Sequence, residues 1–214
     1  MVALGGAQGM IAGIDYTSRE VILAARDYIG LTGKTFSSSF VMDMPSGKRY
    51  VLADCATCKN PTSEQLFDII VQTLKTARAS LTEELRVAVL SFSTKRSGGT
   101  DASIDRAEEV ISRVQAKFPK LLIDGEMQLD AAVNPAIGKR KAPGSPVAGR
   151  ANVLICPDLN SGNILYKSME QFGGAEAYGP ILQGFKKPVS DLSRGSTVED
   201  VVGVIKIMGR LMYE

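Results

Sequence analysis

The 214-residue chain contains no histidine. That absence removes Ser-His and Cys-His nucleophile pairs, imidazole acid–base work and histidine-ligated zinc. Any general base must be a carboxylate, a lysine, a tyrosine or a thiolate. Cysteine is scarce, three residues in all. Cys55 and Cys58 form a lone CxxC, and Cys156 is distant in the chain. Zinc would lack a fourth cysteine or histidine ligand, so a structural role is read ahead of a redox or metal role. No apolar run approaches a membrane span, and the apolar start MVALGGAQGMIAGI carries no basic n-region. Neither a membrane segment nor a signal peptide is expected. A reduced, cytoplasmic setting follows as the default. Net charge is only +2, so no strong field argues for nucleic acid.

What is present suits a globular enzyme-sized unit. Apolar residues make up 44% and charged residues 22%, enough for one large or two small domains with ample core. Residues 9–15 read as a short buried strand. A helical pattern then runs from Thr17 through Val21, Ile22, Ala25 and Ile29 to Gly30. Phe36 to Met44 and Arg49 to Ala53 read as strands joined by a hairpin at Pro45-Ser46-Gly47. A long helix opens at Thr62 or Ser63. Arg86 to Ser91 is nearly continuous apolar sequence, as a buried parallel strand requires. Residues 92–100, FSTKRSGGT, form a hydroxyl-, glycine- and cation-rich loop before a helix reaching about Phe118. This loop is a candidate phosphate cradle, although no Gly-Lys-Ser/Thr closes it as in a P-loop.

Residues 121–125 read as a strand ending in a turn, and Asp130 to Lys141 as a helix. Lys139-Arg140-Lys141 read as its solvated end, where cations complement the helix dipole. Ala151 to Cys156 is another buried strand. Residues 157–163 read as a polar turn entering a helix that carries Tyr166 and Lys167, and Tyr178 to Gln183 as a further strand. Strands alternating with helices imply an α/β fold with a mainly parallel sheet and helices on both faces, hence three layers. The loops after Ser91, Cys156 and Lys187 are polar, and ligands bind at the carboxyl ends of strands in open sheets of this kind.

The stretch Lys187 to Asp200, KPVSDLSRGSTVED, concentrates chemistry in few residues. It reads as a loop feeding a terminal helix, with Thr197 as N-cap and Asp200 in capping-box position. Two readings stand together here. One is a capped helix. The other is an anion site made of a helix N-terminus, a hydroxyl, a guanidinium and a carboxylate.

Four blocks extend this reading: AVLSFSTKRSGG (88–99), LLIDGEMQLDAAV (121–133), KAPGSPVAGRANVLICPDLNSGNILYK (141–167) and GPILQGFKKPVSDLSRGSTVED (179–200). They resemble the phosphate acetyltransferases and the related phosphate butyryltransferases, and the resemblance runs from about Gly9 to the C-terminus. It implies a three-layer α/β/α fold like that of isocitrate and isopropylmalate dehydrogenases. It also implies a discontinuous arrangement: 1–30 with 180–214 as a partial outer domain, and 31–179 as an inserted domain. A homodimer is implied as well. The family's N-terminal segment, with an arginine of the site, has no counterpart here. A second family arginine falls at Ile22, with Arg19 and Arg26 as candidates to stand in for it. A missing N-terminal partner segment or tight oligomerisation is therefore expected.

The implied reaction is acetyl-CoA plus phosphate giving acetyl phosphate plus CoA, by direct thiolate attack on the acyl phosphate in the reverse direction. Coenzyme A is a substrate, and neither a permanent cofactor nor a metal is implied. By resemblance, Asp200 takes the thiol proton, Arg194 binds phosphate and the developing carbonyl charge, and Ser193 hydrogen-bonds the thiol or oxyanion. Without histidine to activate it, Ser193 is not read as a covalent nucleophile. Ser93, Thr94, Ser97, Gly98, Asn160 and Asn163 are further substrate-binding candidates. A butyryl substrate and a non-catalytic module binding acyl-CoA or acyl phosphate are the alternatives.

Overall fold

The computed structural model describes residues 1–213. Its strands are β1 (Met10–Gly13), β2 (Ser37–Asp43), β3 (Arg49–Ala53), β4 (Arg86–Leu90), β5 (Leu122–Met127), β6 (Val153–Ile155), β7 (Glu176–Gln183) and β8 (Val189–Leu192). The α-helices are α1 (Ser18–Ala24), α2 (Ser63–Ser80), α3 (Ala102–Lys117), α4 (Leu129–Val133), α5 (Pro135–Lys141), α6 (Leu159–Gln171) and α7 (Val198–Leu211). One eight-stranded sheet has the order β1-β8-β7-β2-β3-β6-β4-β5. Pairing is parallel at β1/β8, β3/β6, β4/β6 and β4/β5. It is antiparallel at β2/β3, β2/β7 and β7/β8. The sheet is thus mixed and mostly parallel, as expected.

Strand alternation divides the core into two faces. Val41, Val51, Ala53, Val87, Val89, Val153, Ile155 and Ile181 point one way and pack on α2, α3 and α7. Their neighbours Phe40, Met42, Leu52, Ala88, Leu90 and Leu154 point the other way, against α4, α5 and α6. Because β4 and β6 are covered on both faces, they read as continuous apolar runs. A smaller cluster joins Val21, Ala25 and Ile29 to Leu182, Phe185 and Val189. The layers are therefore helix, sheet, helix. Each fully buried aliphatic side chain contributes on the order of 1.5–3 kcal/mol.

Several expectations change in detail. The chain does not turn at Asp124-Gly125; β5 continues to Met127. The β4/β5 register shifts there, between Val89 and Leu90. Gly125 has φ of 150° and a Cβ on it would lie 2.6 Å from the Val89 carbonyl oxygen, so it marks a bulge, which glycine tolerates. The expected helix over 130–141 is two helices, with Pro135 opening the second under an Asn134 cap, because proline suits a first helical position. The expected turn at 157–163 is largely α6, whose N-cap Asp158 accepts from the Ser161 amide at 2.8 Å. Within the stretch read as a loop, Val189–Leu192 forms β8. Two polar residues, Ser190 and Asp191, are buried in it, which removed the apolar signal of a covered strand.

Strand direction also departs from the shared ligand edge expected. Three successive antiparallel steps, β3 to β2 to β7 to β8, reverse β8 and β1 relative to β3, β6, β4 and β5. The loop after β8 consequently leaves the sheet in the opposite sense from those after β4 and β6.

The α6 start lies hard against the CxxC turn, where a Cβ on Gly162 would come within 2.0 Å of the Asp54 carbonyl oxygen. Gly162→Ala is expected to lose about 1–3 kcal/mol in a denaturant melt, because backbone must move. Gly209 in α7 has nothing within 4 Å of such a Cβ. Gly209→Ala is expected to gain up to about 1 kcal/mol of helix propensity in the same measurement. Equal effects at the two sites would refute the tight contact.

Candidate active site

The loop after β8 and the first turn of α7 form one wall of a cleft of about 890 Å³. The turn between β1 and α1, residues 15–18, adjoins it, and the exposed face of α6 lies opposite. Phe40 and Gly179-Pro180 contribute from the sheet. Phe40 stacks on Tyr166 of α6 with centroids 4.0 Å apart, and a Cβ on Gly179 would come 2.8 Å from the Phe40 ring. The aromatic pair is thus held from both sides.

Thr197 and Asp200 make the expected capping box. The Thr197 amide donates to Asp200 Oδ2 at 2.8 Å, and the Asp200 amide donates to Thr197 Oγ1 at 3.2 Å. Among the described residues nothing donates to Asp200 Oδ1, and Asp200 lines the cleft. Capping occupies one carboxylate oxygen and leaves the other for chemistry. Ser193 Oγ accepts from the Gly195 amide at 3.2 Å, which tightens the loop and leaves the hydroxyl proton to donate. Arg194 lines the cleft and makes no ion pair among the described residues. An unpaired guanidinium fork beside a helix N-terminus suits a phosphate.

The structure brings Ser193, Arg194 and Asp200 together with Asn160 and Asn163. Asn163 Nδ2 already donates to the Cys55 carbonyl at 3.2 Å, while Asn160 is exposed. Ser93, Thr94, Ser97 and Gly98 do not line this cleft. Their polar groups are engaged within the protein: Ser93 Oγ accepts from the Gly98 amide at 2.9 Å, and Thr94 Oγ1 from the Gln128 amide ahead of α4 at 2.9 Å. Ser97 Oγ accepts from the Thr94 amide at 3.0 Å. The cations of that loop are also engaged, Lys95 with Asp124 and Arg96 with Asp105 and Glu108. Neither Arg19 nor Arg26 lines the cleft; Arg26 pairs with Asp27 at 2.8 Å, and Ile22 packs on the small core cluster.

The CxxC turn winds around one carboxylate. Asp54 Oδ1 accepts from the Ala56 and Thr57 amides at 3.0 and 3.2 Å, and Oδ2 from the Cys58 amide at 2.9 Å. Cys55 and Cys156 are buried together, and that burial pushes the Cys55 thiol well up. Among the described residues no three His, Cys, Asp or Glu side chains are grouped to hold a metal ion. No helix is long and apolar enough to cross a membrane among them.

Residues that the sequence reading did not single out as site candidates also line the cleft: Asp15, Phe40, Tyr166, Lys167, Glu170 and Asp191. Asn160, Asn163, Lys167 and Glu170 recur at helical spacing, so one face of α6 was legible in principle. Asp191 offered no such signal. It is 3% exposed, and burial raises its carboxyl above the ordinary aspartate value, against a smaller opposing hydrogen bond from Ser18.

This is a three-layer α/β fold in which a helix N-terminus beside an unpaired arginine shares a cleft with a second helix. The sequence model of one family, phosphate acetyl/butaryl transferase, matches residues 1–209. The phosphate acetyltransferase of Treponema pallidum (strain Nichols) is 44% identical over 97% of this chain and 64% of its own length. A phosphotransacetylase from Streptococcus pyogenes superposes with a TM-score of 0.92 at 40% identity, covering 99% of this chain and 65% of that one. A branched-chain phosphotransacylase from Enterococcus faecalis V583 gives 0.78 at 26% identity, over 98% of this chain and 75% of that one. The chain belongs to the phosphate acetyl/butaryl transferase family, and it spans just under two thirds of the length of the first two relatives.

The raised Asp191 carboxyl has a consequence for stability. The folded state retains a proton that the unfolded chain releases, so stability is full at low pH and is lost as pH rises through the raised value. Asp191→Asn is therefore expected to melt higher than the wild type at pH 8. The gap should close towards about pH 4, near the ordinary aspartate pKa. A pH-independent difference between the two proteins would contradict this.

Proposed function

We propose that the protein is a phosphate acyltransferase whose substrates are CoA and an acyl phosphate, with acetyl as the acyl group. The observation that carries this is the convergence of Ser193, unpaired Arg194 and Asp200 on one cleft within a chain of this family. In the thioester-forming direction, Asp200 takes the CoA thiol proton through the oxygen that capping leaves free. The thiolate sulfur bonds the acyl carbon, and the carbon–oxygen bond to phosphate breaks with its electron pair leaving on phosphate. A free thiol with pKa near ~8.5 is mostly protonated at neutral pH, so a placed base raises the reactive fraction. Arg194 holds the phosphoryl group and offsets the charge developing on oxygen. Ser193 donates to the thiol or the oxyanion. Coenzyme A is consumed as a substrate, and no resident cofactor enters these steps.

Acetyl is favoured over larger groups by the relatives: 44% identity to an acetyltransferase against 26% to a branched-chain enzyme. We also place the outer domain at 1–30 with 180–214 and the inserted domain at 31–179. In support, the small core cluster is built from α1, the turn after it, β8 and the end of β7; α7, however, packs on α2 of the inserted part. A homodimer in the cytoplasm belongs to the same proposal. Exposed Val198, Val202 and Ile205 on α7 support an apolar surface that a partner covers.

Coupled assay of CoA-dependent acetyl phosphate consumption tests the activity; absence of turnover with both acetyl and butyryl phosphate would sink it. Arg194→Ala is expected to lose about 10²–10³-fold in kcat, on the scale of one lost transition-state donor. Ser193→Ala should lose about tenfold, one net hydrogen bond. Small, similar losses would make the loop structural.

A further inference from the structure

Asp191 is the feature of this cleft that the acyl transfer chemistry above leaves unexplained. It lies at the end of β8, two residues before Ser193, and both residues line the cleft. It is only 3% exposed, and it lines the cleft. Its Oδ1 is wholly inaccessible and has no hydrogen-bond partner among the described residues. The β1 backbone presses on that oxygen; a Cβ on Gly13 would sit 2.7 Å away. A carboxylate anion in such a place is costly, whereas a neutral carboxyl is tolerated and has one proton to donate. Burial raises the carboxyl in the same sense.

The charges around it point the same way. The cleft carries the carboxyls of Asp15 from the β1–α1 turn, Glu170 from α6, Asp200 from α7 and Asp191 itself. Against them stand Lys167 of α6 and Arg194, and the other titratable side chains of the wall are Tyr16 of the β1–α1 turn and Tyr166 of α6. Four ionised acids and two cations would repel a phosphoryl dianion. Neutralising one buried acid removes part of that repulsion and supplies a donor in its place.

We propose that Asp191, its Oδ1 held inside against β1, carries its proton on Oδ2 and donates a hydrogen bond from there to an oxygen of the phosphoryl group bound in this cleft. It is thereby a substrate-contacting residue beyond Ser193, Arg194 and Asp200. The carboxyl retains its proton throughout, so no bond to hydrogen breaks. The inference rests on the acyl phosphate reading of the site.

The test is the KM for acetyl phosphate, and separately for CoA, as a function of pH in wild type, Asp191→Asn and Asp191→Ala. In the wild type the acetyl phosphate KM should rise as pH climbs and Asp191 ionises. Asp191→Asn keeps an N–H donor and cannot ionise, so its KM should stay low over the same range. Asp191→Ala should raise that KM about tenfold or more at acidic pH, where the wild-type carboxyl still donates, the loss of one hydrogen bond to a charged group; the difference should vanish once the wild-type carboxyl ionises, with the CoA KM unchanged throughout. An alkaline rise persisting in Asp191→Asn would overturn the assignment, as would a wild-type KM in Asp191→Ala at acidic pH or a joint shift of both KM values. If the alanine variant does not fold, the asparagine variant decides alone. Should turnover be undetectable, titration calorimetry with inorganic phosphate reads the same comparison between wild type and Asp191→Asn. A wild type that neither turns over acetyl phosphate nor binds inorganic phosphate defeats the acyl phosphate reading itself, a result distinct from a failed Asp191 comparison.

Discussion

The antiparallel pairing of β2 with β7 is the constraint from which the site follows. It runs from Ser37 opposite Gln183 to Asp43 opposite Glu176, and so stitches the first third of the chain to the last. β8 then turns back on β7, and β1 joins β8 in parallel. These reversals send the end of β8 away from the carboxyl ends of β4 and β6. Ser193 and Arg194 therefore meet the side of α6 across the sheet face, and the cleft lies between two helices rather than along a strand edge. Ligand placement by the rule for open parallel sheets assumes one strand direction; that condition fails here at three neighbouring pairs.

Within the cleft, one short segment carries two duties without conflict. The first turn of a helix leaves amides unsatisfied, and Asp200 answers one of them with a single oxygen. Its second oxygen and the Arg194 fork remain unengaged among the described residues. Capping thus fixes the carboxylate's position rather than consuming it, which is the kind of preorganisation that acid–base chemistry requires. The cleft's surplus of acids over cations makes protonation at buried Asp191 the balancing element for an anionic substrate.

The loop at 93–98 shows how composition misleads when contacts are hidden. Its serines, threonine, lysine and arginine resemble a phosphate cradle, yet each has a partner inside the protein. Gly98 lies against the Phe92 ring, 2.6 Å from an added Cβ, which gives that glycine a packing role. Hydroxyls and cations are equally suited to ligands and to loop closure, so residue type alone does not separate the two. Asp191 shows the converse. Its neighbours in sequence say nothing of burial, and its role depends on β1 and the β1–α1 turn, well over 150 residues earlier in the chain.

Local pattern was enough for most elements because it acts within a few residues. Continuous apolar runs marked β4 and β6, helical spacing marked α2 and α3, and the Thr197–Asp200 spacing marked the α7 cap. The family blocks added Ser193, Arg194 and Asp200 as a group. Short-range signals failed at polar β8 and the Gly125 bulge, where burial overrode composition, and at the first turn of α6, where polar cap residues read as a turn. The strand reversals, the α6 face opposite Arg194 and the unpartnered Asp191 oxygen belong to the tertiary structure alone. Each depends on which distant segments share a wall, and hydrophobic periodicity reports only which side of an element is covered, not what covers it.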